Sequence, residues 1–234
     1  MSKTKKAVII GSVLVGIGVI IGFIGIAIGG FKFPNGAVDL TTMKALHAEK
    51  KTVQIADVFD KIEIAGASSM DIEICKSKTG KNYVEYYDTD DWTSRVDVKD
   101  RVLKFTTDDK GKHKAIVSLG FGKDTAARLY LADAEYKEIS VTTLSGYVTI
   151  QDVNAETVNV SASSGDIDLE SCDAEKFDIT TSSGDVDMEI TAGRTYRFET
   201  KTNSGDVDVP DGDADSGYLC KIVTSSGDVD VKQK

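Results

Sequence analysis

The chain is poor in the residues on which most active-site chemistry depends: it has 3 cysteines, 2 histidines, 2 prolines and 1 tryptophan in 234 residues. Cys75, Cys172 and Cys220 can form at most one bridge, and none has the C-x-x-C spacing of a metal or redox site, so a disulfide framework is excluded. With only His47 and His113, a His-dependent catalytic centre has almost nothing to be built from. Positive charge is also scarce. The 28 Lys+Arg face 38 Asp+Glu, a formal net charge of −10, which argues against nucleic acid as a partner because phosphate binding draws on clustered Lys and Arg. Apolar residues, at 41 %, are numerous enough for a core, so wholesale disorder is excluded too.

One long hydrophobic run is present. Residues 7–31 are 25 positions without a charge. As a helix they span roughly 37 Å at ~1.5 Å per residue, more than the ~30 Å hydrocarbon core of a bilayer. A cleaved signal peptide has a shorter apolar core and a small-x-small cleavage site, whereas Phe31-Lys32-Phe33-Pro34 follows here. The sequence therefore predicts an uncleaved transmembrane helix over 7–31, with a cytoplasmic tail over 1–6. Lys3, Lys5 and Lys6 precede the span and only Lys32 lies just beyond it, so the positive-inside rule exports everything downstream. Gly18/Gly22 and Gly25/Gly29 have the small-xxx-small spacing of close helix pairs, but glycine is common in membrane helices, and the oligomeric state stays open. Residues 32–51 read as a juxtamembrane linker with a short capped helix around Asp39–Leu46.

The strongest signal is a repeat. The octets Thr143–Ile150, Ala162–Leu169, Thr181–Met188, Thr202–Val209 and Thr224–Val231 align on Gly146, Gly165, Gly184, Gly205 and Gly227, which are 19, 19, 21 and 22 residues apart. Apolar residues alternate with polar ones on both sides of each glycine, the period of a strand with one buried face. Each repeat is thus strand, tight Ser-Gly turn, strand. Small residues recur nine positions after the first four glycines, at Ala155, Ala174, Gly193 and Ala214, marking a second corner. Identical residues at a fixed period favour coils stacked in register: an all-β, parallel β-solenoid with 19–22-residue repeats over 139–234. The inward columns would be Ile139-Val158-Phe177-Phe198-Cys220 and Val148-Ile167-Val186-Val207-Val229. A sandwich of five antiparallel hairpins fits the alternation equally but leaves the recurring turn residues unexplained. Residues 52–138 are strand-rich and less regular, with Asp100-Arg101 as a hairpin turn, and read as a cap region continuous with the repeats. Charge divides the same way. Residues 1–50 carry 6 basic and 2 acidic side chains, 51–138 carry 15 and 17, and 139–234 carry 7 and 19.

The Ser-Gly-Asp-Val octets, the lead-in Leu129-Tyr130-Leu131-Ala132 with Ile139–Gly146, and the single N-terminal span together resemble the bacterial "putative adhesin" β-strand-repeat family, over roughly residues 52–234. Tyr147 departs from the pattern, which elsewhere has Asp. The resemblance implies membrane-anchored, extracytoplasmic proteins of the cell envelope, some encoded beside envelope-stress systems of the LiaG type. It carries over no catalytic residue.

Two aspartate columns are the leading chemical constellation: Asp166, Asp185, Asp206 and Asp228, and Asp168, Asp187, Asp208 and Asp230. Stacked at ~4.8 Å, like charges repel unless screened, and Ca²⁺ is the natural hard-cation candidate. A solvated acidic face is the simpler reading. The serines Ser145, Ser164, Ser183, Ser204 and Ser226 have no histidine near them in sequence and read as a hydrogen-bonded turn ladder, not as nucleophiles. Tyr83, Tyr86, Tyr87 and Trp92 form the best candidate binding patch, with core packing as the alternative. The sequence thus predicts a non-enzymatic, adhesin-like binding or scaffold module with one membrane span and an envelope or surface partner, and no cofactor other than Ca²⁺. A calcium-stabilised structural module and a polysaccharide-acting β-helix enzyme are the alternatives.

Overall fold

The computed structural model describes residues 37–39, 44–45, 48–67, 70–89, 92–109, 116–118, 126–132, 135–191 and 193–234. The predicted tail and span over 1–31 lie outside them, and among the described residues no helix is long and apolar enough to cross a membrane. The strands are β1 (Ala37–Asp39), β2 (Lys44–Ala45), β3 (Ala48–Ile55), β4 (Lys61–Ala67), β5 (Ile72–Lys76), β6 (Asn82–Thr89), β7 (Trp92–Lys99), β8 (Val102–Asp109), β9 (Ile116–Ser118) and β10 (Ala127–Leu131). The repeats supply β11 (Glu135–Ser145), β12 (Val148–Gln151), β13 (Asn154–Ser164), β14 (Ile167–Ser183), β15 (Val186–Ile190), β16 (Tyr196–Lys201), β17 (Val207–Asp208), β18 (Tyr218–Val223) and β19 (Val229–Gln233). The helix predicted around Asp39–Leu46 is replaced by strands. Val38 pairs with Ala45 in β2 and with Val117 in β9, a distant partner that a local capping signal cannot reveal.

The repeats coil as a solenoid with two sheet faces. On the first face β8, β4, β11, β13, the second half of β14, β18 and β16 pair parallel, with one register shift where Thr142 and Thr143 meet β4. On the second face β10, β5, β12, the first half of β14, β15, β19 and β17 do the same. This parallel pairing excludes the sandwich of hairpins. The solenoid is not parallel throughout, however: β7 pairs antiparallel with β8, β6 with β10, and β3 with β6, which gives one end a mixed-direction cap. Positive φ at Asp100 and Arg101, 52° and 64°, makes the predicted turn between β7 and β8. The irregular and the regular parts share both sheets, since Ile62 of β4 pairs with Ile139 and Ile72 of β5 with Val148.

The core fills the space between the faces. Ile62, Ile139, Val158, Phe177 and Cys220 line one column, and Ile72, Val148, Ile167, Val186 and Val229 another, all at most 1 % exposed. The columns correct the predicted order of coils. Phe177 pairs with Cys220, and Cys220 in turn with Phe198; likewise Val186 pairs with Val229 and Val229 with Val207. The C-terminal coil β18/β19 is therefore inserted between β14/β15 and β16/β17. The same happens at the other end, where the first coil β4/β5 lies between β8/β10 and β11/β12. The cause is connection length. Only Asp152 and Val153 separate β12 from β13, whereas residues 191–195 separate β15 from β16 and 209–217 separate β17 from β18. Those longer connections let the chain pass over one coil position and return.

Candidate functional site

Each Ser-Gly corner is built from main-chain contacts. Gly184 has φ +143°, and its N–H donates to the Ser226 carbonyl at 3.0 Å. Gly165 N–H donates to the Ser183 carbonyl and Gly227 N–H to the Ser204 carbonyl in the same way. The predicted serine ladder is present, and these coil-to-coil bonds run through the serine main-chain carbonyls. The first aspartate column is also part of this corner. Asp185 N–H donates to Asp166 Oδ1 at 2.9 Å, Asp228 N–H to Asp185 Oδ1 at 2.8 Å, and Asp206 N–H to Asp228 Oδ1 at 2.8 Å. Tyr147, in the aspartate position, donates its N–H to Asp71 Oδ1 at 2.9 Å and stands 59 % exposed. Carboxylates suit this position because Asp166, Asp185 and Asp228 each accept the backbone N–H of a neighbouring coil. Replacing Asp185 by Ala is expected to leave the Asp228 N–H without its acceptor and to lower stability by about 1 kcal/mol, while Asn keeps the acceptor and costs little. Chemical denaturation of both variants measures the difference.

The second aspartate column lies on the outer side of the second face, with Asp168 beside Asp187, Asp187 beside Asp230, and Asp230 beside Asp208. Burial first, then Glu170, Asp187 and Glu189, raises the Asp168 pKa; burial first, then Asp230, raises that of Asp187. The opposite direction holds for Asp60, hydrogen-bonded by Lys137 and Arg101, and for Glu189, hydrogen-bonded by Lys234. A raised carboxyl pKa penalises the folded state above that pKa, and the penalty is relieved as pH falls through it. A lowered one stabilises the fold above the ordinary carboxyl range, and that contribution is lost as pH falls through the folded value. Stability is therefore expected to hold or rise on mild acidification from neutrality and to fall below the ordinary carboxyl range. Asp187→Asn should raise the melting temperature at low salt, by the equivalent of about 0.5 kcal/mol or less, and flatten the mild-acid rise. Melting curves against pH at two salt concentrations test this. Among the described residues no group of three or more His, Cys, Asp or Glu side chains is arranged to hold a metal ion.

The tyrosine patch divides. Tyr86 turns inward, 5 % exposed, with its ring edge-on to Phe105 at 5.6 Å. Tyr83 and Tyr87 alternate with it and face outward on β6. Tyr83 stacks on Tyr130 of β10 at 4.4 Å with an interplanar angle of 15°, a partner that sequence proximity does not show. The Trp92 backbone belongs to β7, opposite Asp109. Cys172 and Cys220 are wholly buried, and burial pushes both thiols up to about 12, which leaves them without thiolate character.

A groove of about 410 Å³ follows the second corner, where the first-face strands begin. Its floor is formed by Tyr136 and Ala155, buried at 3 % and 8 %, and Ala174 continues their in-register column. The small residues recurring at this corner thus leave a channel. One wall carries Glu135, Asn154 and Asp173, and the other Lys137, Glu156 and Glu175. At one end Asp60 joins Lys137 at 3.0 Å and Arg101 at 3.1 Å. At the other, Arg194 pairs with Asp173 at 3.3 Å and lies 4.8 Å from the centre of the Tyr218 ring. Tyr196, buried nearby, donates its hydroxyl proton to the Ala174 carbonyl at 2.6 Å. Glu135, Glu156 and Glu175 are exposed, and among the described residues none of them has an ion pair. Of the lining residues the sequence marked only Ala155, as a corner, and Arg101, as part of a turn. The available signal was a small residue between polar ones, as in Asn154-Ala155-Glu156 and Asp173-Ala174-Glu175.

The coil architecture agrees with comparison to known proteins. The sequence model of the Toastrack DUF4097 family matches residues 59–234. The chain belongs to this family. The resemblance to the adhesin-type repeat family read from the octets is the same relationship. A crystal structure described as a putative cell adhesion protein from Clostridium sporogenes is similar at a TM-score of 0.58 and 17 % identity, covering 81 % of this chain and 100 % of its own. A putative adhesin from Bacteroides fragilis covers 80 % of this chain and 97 % of its own at 16 % identity and a TM-score of 0.36. Among curated proteins none matches. The Clostridium likeness shows the shared fold.

Proposed function

We propose that this Toastrack protein is a non-enzymatic binding module of the bacterial cell envelope, held outside the cytoplasmic membrane by residues 7–31, and that it engages its ligand along the second-corner groove. The observation that carries the reading is the groove itself: a channel with a rigid floor, Arg194 at one end, and Glu135, Glu156 and Glu175 exposed without ion pairs on its walls. Unpaired carboxylates on a rigid frame suit a ligand with hydroxyl or amine donors, such as wall polysaccharide. The names of the similar structures, adhesion protein and adhesin, support a binding role. A place beside an envelope-stress system fits the same surface display.

The non-enzymatic part rests on the residues present. Asp168 and Asp187, the carboxylates with raised pKa, lie on an open sheet face away from the groove. Pull-down of the full chain by isolated cell-wall sacculi tests the reading. The wild type should be retained, and Glu156→Lys combined with Glu175→Lys should lose most of the retention at unchanged melting temperature. Equal retention of both proteins would move the site off the groove, and release of soluble glycan from the sacculi would overturn the non-enzymatic reading. External protease on intact cells tests the topology, since full protection of the repeats would contradict export.

A further inference from the structure

The outer side of β3, β6 and β10 lies outside the groove, at the end of the sheet face that carries the second aspartate column. It presents Lys50, Thr52 and Gln54 from β3, Tyr83, Glu85 and Tyr87 from β6, and Arg128 and Tyr130 from β10. Both acidic groups on it are matched: Glu85 pairs with Lys50 at 3.2 Å, and Glu73 of the adjoining β5 takes two bonds from Arg128, at 2.7 and 3.2 Å. Beside the Tyr83–Tyr130 stack lies the turn 76–81, which contains Lys76, Lys78 and Lys81 and no acidic residue. Ser77 and Thr79 bond to each other across this turn at 3.0 Å, and Gly80 takes φ +66°. Lys78 and Lys81 are exposed, and neither has an ion pair among the described residues. The exposed charge in excess here is therefore positive, on a protein whose residues 139–234 carry 7 basic and 19 acidic side chains.

We propose that this tyrosine and lysine face is a docking surface for an anionic lipid headgroup layer, with the sheet tilted so that its capped end meets the membrane and its acidic coils are lifted from it. The inference rests on the reading of 7–31 as the anchor. Two observations select a lipid surface as the occupant. The first is chain length: β3 starts at Ala48, 16 residues after position 32, and 16 residues reach at most about 55 Å, so the end of the solenoid bearing β3 is the end tethered to the bilayer. The second is charge complementarity. Basic side chains are attracted to anionic headgroups within a Debye length, while Asp168 and Asp187, which continue the row of Arg128, Glu73 and Thr149 on the same sheet face, are repelled, so the sheet meets the surface tilted, by its β3–β6–β10 end. Tyrosine suits the headgroup level, with an apolar ring and a polar hydroxyl.

Cys75 supplies the probe. It lies on the same outer face, in register with Tyr130, and is partly exposed, while Cys172 and Cys220 are buried. The full chain is placed in nanodiscs of phosphatidylcholine alone or with phosphatidylglycerol, and Cys75 is labelled with an uncharged polyethylene-glycol maleimide. Labelling is expected to slow at least about fivefold, the effect of one basic residue near such a surface, in the anionic discs. High salt should restore the rate, and the double variant Lys78→Glu with Lys81→Glu should label equally fast in both discs. Because neither lysine has an ion pair, the variant should melt with the wild type. Equal wild-type rates in both discs, or slowing that survives charge reversal, would overturn the docking surface. Failure of the chain to enter nanodiscs at all would instead overturn the anchor; flotation with phosphatidylglycerol vesicles, compared between wild type and the double variant, then tests the face by itself.

Discussion

Gly184→Ala is expected to be among the most damaging single substitutions in the chain, lowering stability by about 3–5 kcal/mol. A Cβ at this position would sit 2.6 Å from the Gly165 carbonyl carbon, closer still to its oxygen, and 3.1 Å from Asp166 Oδ1. Those atoms are backbone, or a carboxylate held by the Asp185 N–H, so they cannot move aside as the end of a flexible side chain would. The residue also has φ +143°, which an L side chain rarely adopts. The coils could separate locally to admit the methyl group. That would stretch the bonds Gly165 N–H to Ser183 and Ile167 N–H to Asp185, which join those two coils. In a domain of this size the loss corresponds to a fall of roughly 10 °C in melting temperature. Gly193, by contrast, has nothing within 4 Å of its Cβ position, so Gly193→Ala meets only the strain of φ +114° and should cost about 1–2 kcal/mol. Comparable melting of the two variants would mean that the glycine corner tolerates a Cβ and is not a tight element.

A chain ending at Gly217 is expected to lose more than one coil. In a solenoid stacked in chain order, removing the last repeat would shorten the array and leave its neighbours in place. Here the removed strands β18 and β19 stand between β14/β15 and β16/β17, so their loss strips the first-face and second-face partners from both sides. Cys220, Ile222, Val229 and Val231, each at most 4 % exposed, leave the core, and Phe177, Ile179, Val186 and Met188 lose the coil that covers them. At about 1.5–3 kcal/mol per buried apolar side chain, the four removed residues alone account for roughly 6–12 kcal/mol. Trypsin reports the result directly. Arg194, Arg197 and Lys201 lie in or beside β16 and should become cleavable in the truncated chain while β11 to β13 stay protected longer. Protection of Lys201 with only a small fall in melting temperature would mean that β16 and β17 can occupy the vacated position, which their near-repeat of the same octet makes the natural competing arrangement.

Much of this was legible beforehand. Period-2 alternation around each glycine places Val158 and Val160, Phe177 and Ile179, and Val186 and Met188 in the core, and all six are buried there. Parallel stacking followed from the recurrence of the turn residues, and the Asp100-Arg101 turn from its composition. The groove was half visible: Ala155 and Ala174 marked a tight corner, but Tyr136, Lys137 and Arg194 reach it from coils whose neighbours depend on strand order. The tyrosine patch was misgrouped for a related reason. Adjacent positions on a strand face opposite ways, so Tyr86 goes to the core and Tyr83 finds Tyr130, 47 positions away, across a sheet.

The sequence by itself determined the repeat unit, its glycine corner, its buried columns and the sign of its surface, because each is written in local periodicity and composition. Only the tertiary structure decided which coil lies beside which. Near-identical octets pair almost equally well with one another, so their order cannot be set by the octets; it is set by the connections 191–195 and 209–217, by Tyr196 reaching Ala174, and by the antiparallel strands that close the other end. The aspartates show the same division. Their recurrence is a property of the sequence, but it took the stacking of corners to give the first column its main-chain N–H partners and to leave the second on the open face of the sheet.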